Sequence, residues 1–272
     1  MTFEEKQAIA KSKENQVWKR NDIVQKSKFS LSVTEQKTIN FLVSLIKPKE
    51  EYLNQVQPLE YEFEIQDYCK ICDINYESGK NYKTVRDTLR ELCRKDSIVT
   101  LPNGTETRVT WVNKFWSNKG EGWAKIRFDD DMAPYLFDLH KNTTRFQLLN
   151  ILPMQSKYSI RLYEICKSWA GIHLKQYSLE ELRVMLGLSE FELARYPDFR
   201  RKVLEIAQRE INEYTDLNVD FEPVTRGRKT ISIKIHIKEK KVVDFDNLEG
   251  QLDIYDYLEY LPGEEIKNGN NI

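Results

Sequence analysis

One pattern of apolar residues occurs twice in this chain, and that repetition constrains the fold more than any other feature of the sequence. Adding 114 to Ile65, Tyr68, Ile71, Cys72, Ile74, Tyr82, Val85, Leu89 and Leu92 gives Leu179, Leu182, Met185, Leu186, Leu188, Tyr196, Phe199, Val203 and Ile206. In each copy the spacing predicts a short helix, a turn and a long helix, followed by a polar hairpin. An internal duplication of this length implies two similar units, each with its own buried face. Helix, turn, second helix and β-wing is the order in which winged-helix modules are built. The expected fold class is therefore α+β: two tandem winged-helix domains related by internal duplication, with a flexible N-terminal arm and an acidic C-terminal tail.

With 272 residues the chain can form two domains of roughly 100 to 130 residues, each large enough for a core. The expected division is an arm over 1–16, an N-terminal domain over 17–150, a C-terminal domain over 151–240 and a tail over 241–272. No apolar run approaches the ~20 residues of a membrane helix, so no membrane partner is expected. The segment from Met1 to Lys19 mixes Glu and Lys without an apolar centre, unlike a secretory signal, and a cytoplasmic location is expected. The net charge of −1 hides an asymmetry: residues 239–272 hold nine Asp and Glu against three Lys, a net of −6, which leaves +5 on residues 1–238. A basic body suits phosphate and an acidic tail suits contact with another protein. Cys69, Cys72, Cys93 and Cys166 provide one C-x-x-C without a second pair, so packing thiols are expected and neither a metal nor a cofactor.

Along the chain, Trp18 to Gln25 reads as a strand. Ser32 and Glu35 form a capping box for a helix carrying Ile39, Leu42, Val43 and Ile46, with Pro48 beyond its end. Tyr61 to Glu64 reads as a strand into the first short helix, and Tyr82 to Arg94 as the first long helix. Strands over Ser97 to Leu101 and Thr107 to Trp116 are joined at Pro102-Asn103-Gly104, with Trp123 to Phe128 as a third strand. In the second copy a helix from Ser156 to Trp169 comes first. Ser178 and Glu181 cap a helix that Gly187 stops, Pro197 opens the long helix to Tyr214, and strands Val219 to Val224 and Thr230 to Ile237 flank Arg226-Gly227-Arg228-Lys229.

At about 100° per residue, centring the second long helix on Val203 turns Phe199, Ile206, Ala207, Glu210 and Tyr214 inward. Arg201, Glu205, Gln208 and Asn212 then face outward, flanked by Asp198, Lys202 and Arg209. These side-chain types read base edges: Arg pairs with guanine, Gln and Asn with adenine, and carboxylates with the cytosine amino group. Arg226, Arg228 and Lys229 sit on a hairpin tip suited to phosphates. The first long helix exposes Lys80, Thr84, Asp87, Glu91 and Arg94, with Lys83, Thr88 and Lys95 beside them. Its wing tip, Asn103 to Glu106, has no basic cluster, so Lys80, Lys83 and Thr84 are expected to position phosphates while the second copy reads sequence.

The chain resembles the replication initiator (Rep) proteins of iteron-containing plasmids, over roughly Val17 to Lys238. The most specific match is Tyr196-Pro197-Asp198-Phe199-Arg200-Arg201-Lys202-Val203-Leu204-Glu205 with Glu210-Ile211-Asn212 and the basic wing, supported by Asn21-Asp22-Ile23-Val24 leading to Leu31-Ser32. The resemblance implies two winged helices that bind direct repeats in double-stranded origin DNA, with the C-terminal module as main reader. It places Arg201, Lys202, Glu205 and Gln208 in the major groove and Arg226, Arg228 and Lys229 on the wing. It further implies a homodimer in equilibrium with monomer, formed through the N-terminal module, repression of the protein's own promoter, and recruitment of host replication proteins.

In the tail, Gln251-Leu252-Asp253-Ile254-Tyr255 resembles the peptide with which bacterial proteins bind the polymerase sliding clamp, with a Gln amide as anchor and apolar residues for a groove. Two other functions compete with an initiator. A winged-helix transcriptional regulator would use the same surfaces, and its target would be one inverted repeat rather than several direct repeats. A tyrosine-dependent rolling-circle nicking enzyme would need a metal, yet His140, His173 and His236 form no His-x-His pair. No G-x-x-x-x-G-K-[ST] loop for nucleotide hydrolysis occurs. Removing residues 248–272 is expected to abolish binding to the sliding clamp in a surface-capture assay; unchanged binding rejects the peptide assignment.

Overall fold

The long amphipathic helix of each copy needs an apolar surface to cover it: the first lies against the helix Val33–Ser44 and the strand Val112–Ser117, the second against the helix Lys157–Lys167 and the strand Leu217–Arg226. The computed structural model describes residues 15–46, 58–72, 80–100, 104–118, 120–137 and 142–240. The first half runs β1 (Gln16–Arg20), α1 (Asn21–Lys26), β2 (Ser27–Lys28), α2 (Val33–Ser44), β3 (Glu60–Glu64), α3 (Ile65–Ile71) and α4 (Lys80–Leu92). It continues through β4 (Asp96–Thr100), β5 (Glu106–Thr110), β6 (Val112–Ser117), β7 (Trp123–Phe128), α5 (Ala133–Leu136) and β8 (Thr143–Gln147) to α6 (Lys157–Lys167). The second half holds β9 (Leu174–Ser178), α7 (Leu179–Met185), a long helix, and the wing strands β10 (Leu217–Arg226) and β11 (Lys229–Glu239). That long helix is α8 (Tyr196–Phe199), a π segment (Arg200–Leu204) and α9 (Glu205–Tyr214) in succession.

The duplication is exact in register over its first two elements, since β3 and α3 shifted by 114 fall on the bounds of β9 and α7. Beyond them the copies diverge. Leu92, the end of α4, maps to position 206, whereas α9 continues eight residues further to Tyr214, about 12 Å of additional helix. Strand partners also differ: β9 pairs with the wing strand β11 in the order β10-β11-β9, while β3 joins β7 in the order β3-β7-β6. The first wing, β4 and β5, is completed by β2 instead.

The third strand expected for the first wing therefore belongs to another sheet. The cause is Trp111, which is buried and donates from Nε1 to Ser97 Oγ at 2.9 Å. Holding that indole inside interrupts the strand expected over Thr107 to Trp116, so β5 pairs with β4 and β6 with β7. The strand expected from Trp18 to Gln25 likewise ends early. β1 pairs with β8, Trp18 opposite Arg145, and the chain then coils into α1, which turns Ile23 and Val24 into the core. Both capping boxes form as the sequence predicts: Ser32 N donates to Glu35 Oε2 at 2.7 Å, and Ser178 N to Glu181 Oε2 at 2.8 Å.

Ile39, Leu42, Val43 and Ile46 are buried, but α2 also buries Gln36, Lys37, Thr38 and Asn40. A helix enclosed all round needs partners for its polar groups. Gln36 Nε2 donates to the Leu31 and Lys157 carbonyls at 3.2 and 2.9 Å, and Thr38 Oγ1 meets Tyr68 OH at 2.6 Å. Asn40 Nδ2 donates to Glu164 Oε1 at 3.0 Å. Glu164, on α6, also pairs with Lys19 Nζ at 2.7 Å and Arg161 at 3.6 Å, all three side chains being 3% exposed.

Burial pushes the Glu164 carboxyl up, but the Lys19 and Arg161 charges, with hydrogen bonds from Lys19 and Asn40, outweigh it and hold the group below the usual carboxylate value. Burial draws the Lys19 ammonium down, with Glu164 opposing. Two cations around one carboxylate favour the ionised acid at neutral pH. Because the folded-state pKa lies below the unfolded value near ~4.3, this stabilisation is complete above the unfolded value and is lost as pH falls through the folded one. Glu164→Gln is expected to reduce the free energy of unfolding by about 3–5 kcal/mol near neutral pH in urea titrations. The gap between parent and variant should shrink at about pH 3, and a constant gap would contradict this account.

Candidate nucleic-acid interface

The second long helix owes its exposed face to a break in its own periodicity. A straight α-helix would turn Ile206 inward with Val203, but the π segment admits an extra residue and offsets the drift of an i, i+4 stripe. Phe199, Val203, Ala207 and Ile211 are therefore buried together with Leu204, and Ile206 is only half-buried. Glu210 faces inward as expected and accepts from the Gln155 and Ser156 amides at 3.2 and 3.3 Å, tying the helix to the start of α6.

Outward, from Arg195 to Arg209, stand Arg195, Arg200, Arg201, Lys202 and Arg209 against Asp198 and Glu205. Asp198 lies 3.4 Å from Arg201 and 3.8 Å from Arg195, and Glu205 lies 3.0 Å from Arg200. Gln208 Nε2 donates to Asp220 Oδ1 at 3.2 Å, across to β10. Exposed pairs of this kind contribute little to stability and exchange readily for a phosphate or base edge. Lys202 and Arg209 are exposed and have no ion-pair partner among the described residues.

Asn212 occupies a different position from the outward one expected. Its Nδ2 donates to the Val219 carbonyl at 3.0 Å and its Oδ1 accepts from the Val219 amide at 2.6 Å. The carboxamide is committed to the backbone of β10, so Asn212 holds the helix against the sheet instead of facing a base.

Arg195 and Arg200 are exposed cations that the helical projection omitted. Arg195 precedes the helix, and the π segment alters the angular position of Arg200; the signal in the sequence was the basic run Arg200-Arg201-Lys202 itself. Arg183, on α7, was also missed. Its guanidinium donates to the carbonyls of Leu193 at 2.7 Å, Glu192 at 2.6 Å and Ser189 at 3.2 Å, fixing the turn between α7 and the long helix. Leu193 has a left-handed backbone, φ 53°, within that turn.

The wing closes in two residues. Arg226 pairs with Lys229 across Gly227-Arg228, and of the two loop residues only Gly227 has positive φ, at 63°. That is the II′ pattern with glycine first, and it leaves Arg226, Arg228 and Lys229 exposed at the tip without ion-pair partners among the described residues. Lower on the sheet, Glu222 accepts a hydrogen bond from His236 and lies near Lys234, which together hold its carboxyl below the usual value.

The corresponding face of α4 is more nearly neutralised. Asp87 pairs with Arg90 at 2.8 Å, Glu91 with Arg94 at 3.0 Å, and Lys95 with Glu35 at 2.7 Å. Thr84, Asp87, Thr88 and Glu91 line a groove of about 330 Å³ whose other wall is Ser32, Thr34 and Glu35. Lys83 and Thr84 are exposed, and the backbone of Lys80 begins the helix, its side chain lying outside the described residues. Gln251, Leu252, Asp253, Ile254 and Tyr255 also lie outside them. Burial raises the thiols of Cys69 and Cys93 to about 11 and that of Cys166 to about 12, so these cysteines are protonated at neutral pH. No helix among the described residues is long and apolar enough to cross a membrane.

Two helix–turn–helix units with wings, one carrying a cation-rich helix and a basic wing tip, define a tandem winged-helix DNA-binding protein. The chain belongs to the replication initiator (Rep) family: the family's "Initiator Replication protein, WH1" region matches residues 16–167, and its "Initiator Rep protein, WH2" region matches residues 178–237. The fold is similar to that of the Pi initiator protein, solved in complex with iteron DNA, with a TM-score of 0.65 and 19% identity over 85% of this chain and 99% of that one. Domains 2 and 3 of RctB align with a TM-score of 0.49 and 14% identity, over 78% of this chain and 85% of that one. An uncharacterized 27.6 kDa protein of Escherichia coli is 23% identical over 175 residues, 64% of this chain and 72% of its own length.

Asn212→Ala is expected to lower the stability of the chain by about 1–3 kcal/mol in thermal or urea unfolding, because the Val219 amide and carbonyl lose their partner. Arg228→Ala, at the exposed wing tip, should leave the same unfolding curve unchanged within about 0.5 kcal/mol. An Asn212→Ala curve that overlays the parent would return Asn212 to the DNA-reading face.

Proposed function

We propose that this initiator binds direct repeats in double-stranded DNA at the origin of a plasmid or related mobile element, strains the adjacent duplex and recruits host replication proteins. It works in the cytoplasm by binding and deformation, with no covalent step of its own. The observation that carries this reading is the pairing, in the second module only, of a cation-rich helix with a basic wing on a II′ turn. A helix in the major groove supplies base contacts and a wing supplies phosphate contacts, so together they fix register and sequence. The Pi initiator, whose fold this chain shares, was solved on iteron DNA, which supports the same class of target here.

The second module is the chief reader: Arg201, Lys202, Glu205 and Gln208 face the bases with Asp198 and Arg209 beside them, and Arg226, Arg228 and Lys229 hold phosphates. The first module is auxiliary, positioning the duplex through Lys80, Lys83 and Thr84 and forming a homodimer in equilibrium with the monomer. The dimer represses the protein's own promoter, and the peptide Gln251 to Tyr255 reaches the sliding clamp.

Footprinting on DNA flanking the gene tests the reading. Protection of several direct repeats is expected, and protection of one inverted repeat alone would make the chain an operator-binding regulator. Arg201→Ala and Lys202→Ala should each weaken binding by about 1–3 kcal/mol, with the loss concentrated at particular base positions if they read bases. Arg228→Ala should weaken binding to all sequences alike and reduce the salt slope by about 1. Repeat protection indistinguishable from the parent in all three variants removes these residues from the interface.

A further inference from the structure

The end of α7, in the second module, meets the backbone of the first at Gly187. This residue closes α7 with a Schellman pair: Leu188 N donates to the Arg183 carbonyl at 3.0 Å and Gly187 N to the Val184 carbonyl at 3.0 Å. Its φ is 68°, and a Cβ placed on it would overlap the Phe29 carbonyl oxygen and lie 2.9 Å from the carbonyl carbon and 3.3 Å from Ser30 Cα. Phe29 and Ser30 belong to the segment that joins β2 to α2. At the other described glycines an added Cβ meets nothing within 4 Å. Gly187 thus combines a left-handed helix end with a backbone contact between modules that admits no side chain.

Arg161 lies beside this contact. Its Nη2 donates to the Ser27 carbonyl at 3.0 Å and its Nε to the Met185 carbonyl at 3.3 Å. Ser27 starts β2 and Met185 ends α7, so one guanidinium, itself 3% exposed, joins the main chains of both modules. Its Cζ stands 4.5 Å from the centre of the Phe29 ring, which closes the seam. The Arg183 hydrogen bonds then attach α7 to the turn before the long helix, so any shift at Gly187 carries the DNA-reading helix with it.

From this geometry the structure assigns Gly187 and Arg161 to setting the distance and rotation between the two DNA-contacting modules, making the chain selective for the spacing of its two contacts on one duplex. This rests on the proposal that both modules touch the same DNA. One added base pair moves the second contact by roughly 3.4 Å and rotates it by roughly 35°. A seam in which backbone touches backbone cannot absorb such a change, and one contact must be given up.

The full chain selects its preferred duplex from a randomised pool spanning about two helical turns, and a series is then made with one or two base pairs inserted or removed between the stretches each module protects. The parent is expected to lose about tenfold or more in affinity on one insertion, because simultaneous engagement fails. Two variants cut the seam independently. Gly187→Asn tolerates the positive φ, so its main effect is the collision with Phe29. Arg161→Lys keeps a charge beside Glu164 but lacks the fork needed to reach both carbonyls. Each variant should bind the selected spacing more weakly and lose most of the penalty for insertions. A flat spacing profile in the parent, or a parent-like profile in both variants, overturns the inference while leaving repeat binding intact. Selection of no repeat by the parent instead removes the function on which the inference rests.

Discussion

A carboxylate buried at 3% exposure keeps its charge only if cations are brought to it, and Glu164 receives two, Lys19 from another element and Arg161 from one turn earlier on its own helix. Lys19 arrives on β1, which pairs with β8, and the amide of Asn40 arrives on α2, buried from Glu35 to Ser44. Arg161 extends the same cluster to β2 and to the end of α7. A single charged centre therefore draws together the chain's first strand, its central helix and the entry to the second module. Interactions of this type act through geometry more than through net energy, because an apolar replacement of equal volume could be as stable without fixing any orientation. The apolar core, which runs continuously across both modules, supplies most of the driving force for folding.

On that frame the two copies differ in how many of their exposed cations are paired. Along the first long helix and its C-terminal end, Asp87 pairs with Arg90 and Glu91 with Arg94, and Lys95 reaches across to Glu35 on α2. The second leaves Lys202, Arg209 and the three wing cations without ion-pair partners among the described residues. An exposed cation that has no intramolecular partner can release counterions from a phosphate backbone without first breaking a bond of its own. The second long helix also continues further, to Tyr214, than the first, which ends at Leu92. The two copies share a scaffold and differ in their exposed charge.

Much of this was legible in the sequence where the signal was local. The capping boxes at Ser32 and Ser178 and Gly187 as a helix stop depend on neighbours a few positions away and appear where expected, and the wing tip falls at Arg226 to Lys229 as expected, although its strands run on to Arg226 and Lys229 and leave a turn of two residues. The exchange of sheet partners at Trp111 was hidden, since it depends on the indole reaching Ser97 and Phe29. Asn212 was misplaced because a 100° projection assumes unbroken α-geometry, and the π segment violates that assumption eight positions upstream, at Leu204.

The sequence by itself determined a duplicated helix–turn–helix scaffold, the concentration of cations on its second copy and the family that this pattern marks, because helix periodicity, caps and charge content are properties of short segments. Only the tertiary structure decided how the two copies are joined: which strands share a sheet, that Arg161 bonds to the main chain of both modules, and that Gly187 must lack a side chain because of Phe29. Those contacts link residues far apart in the chain, and their energies exist only when burial removes water from both partners at once.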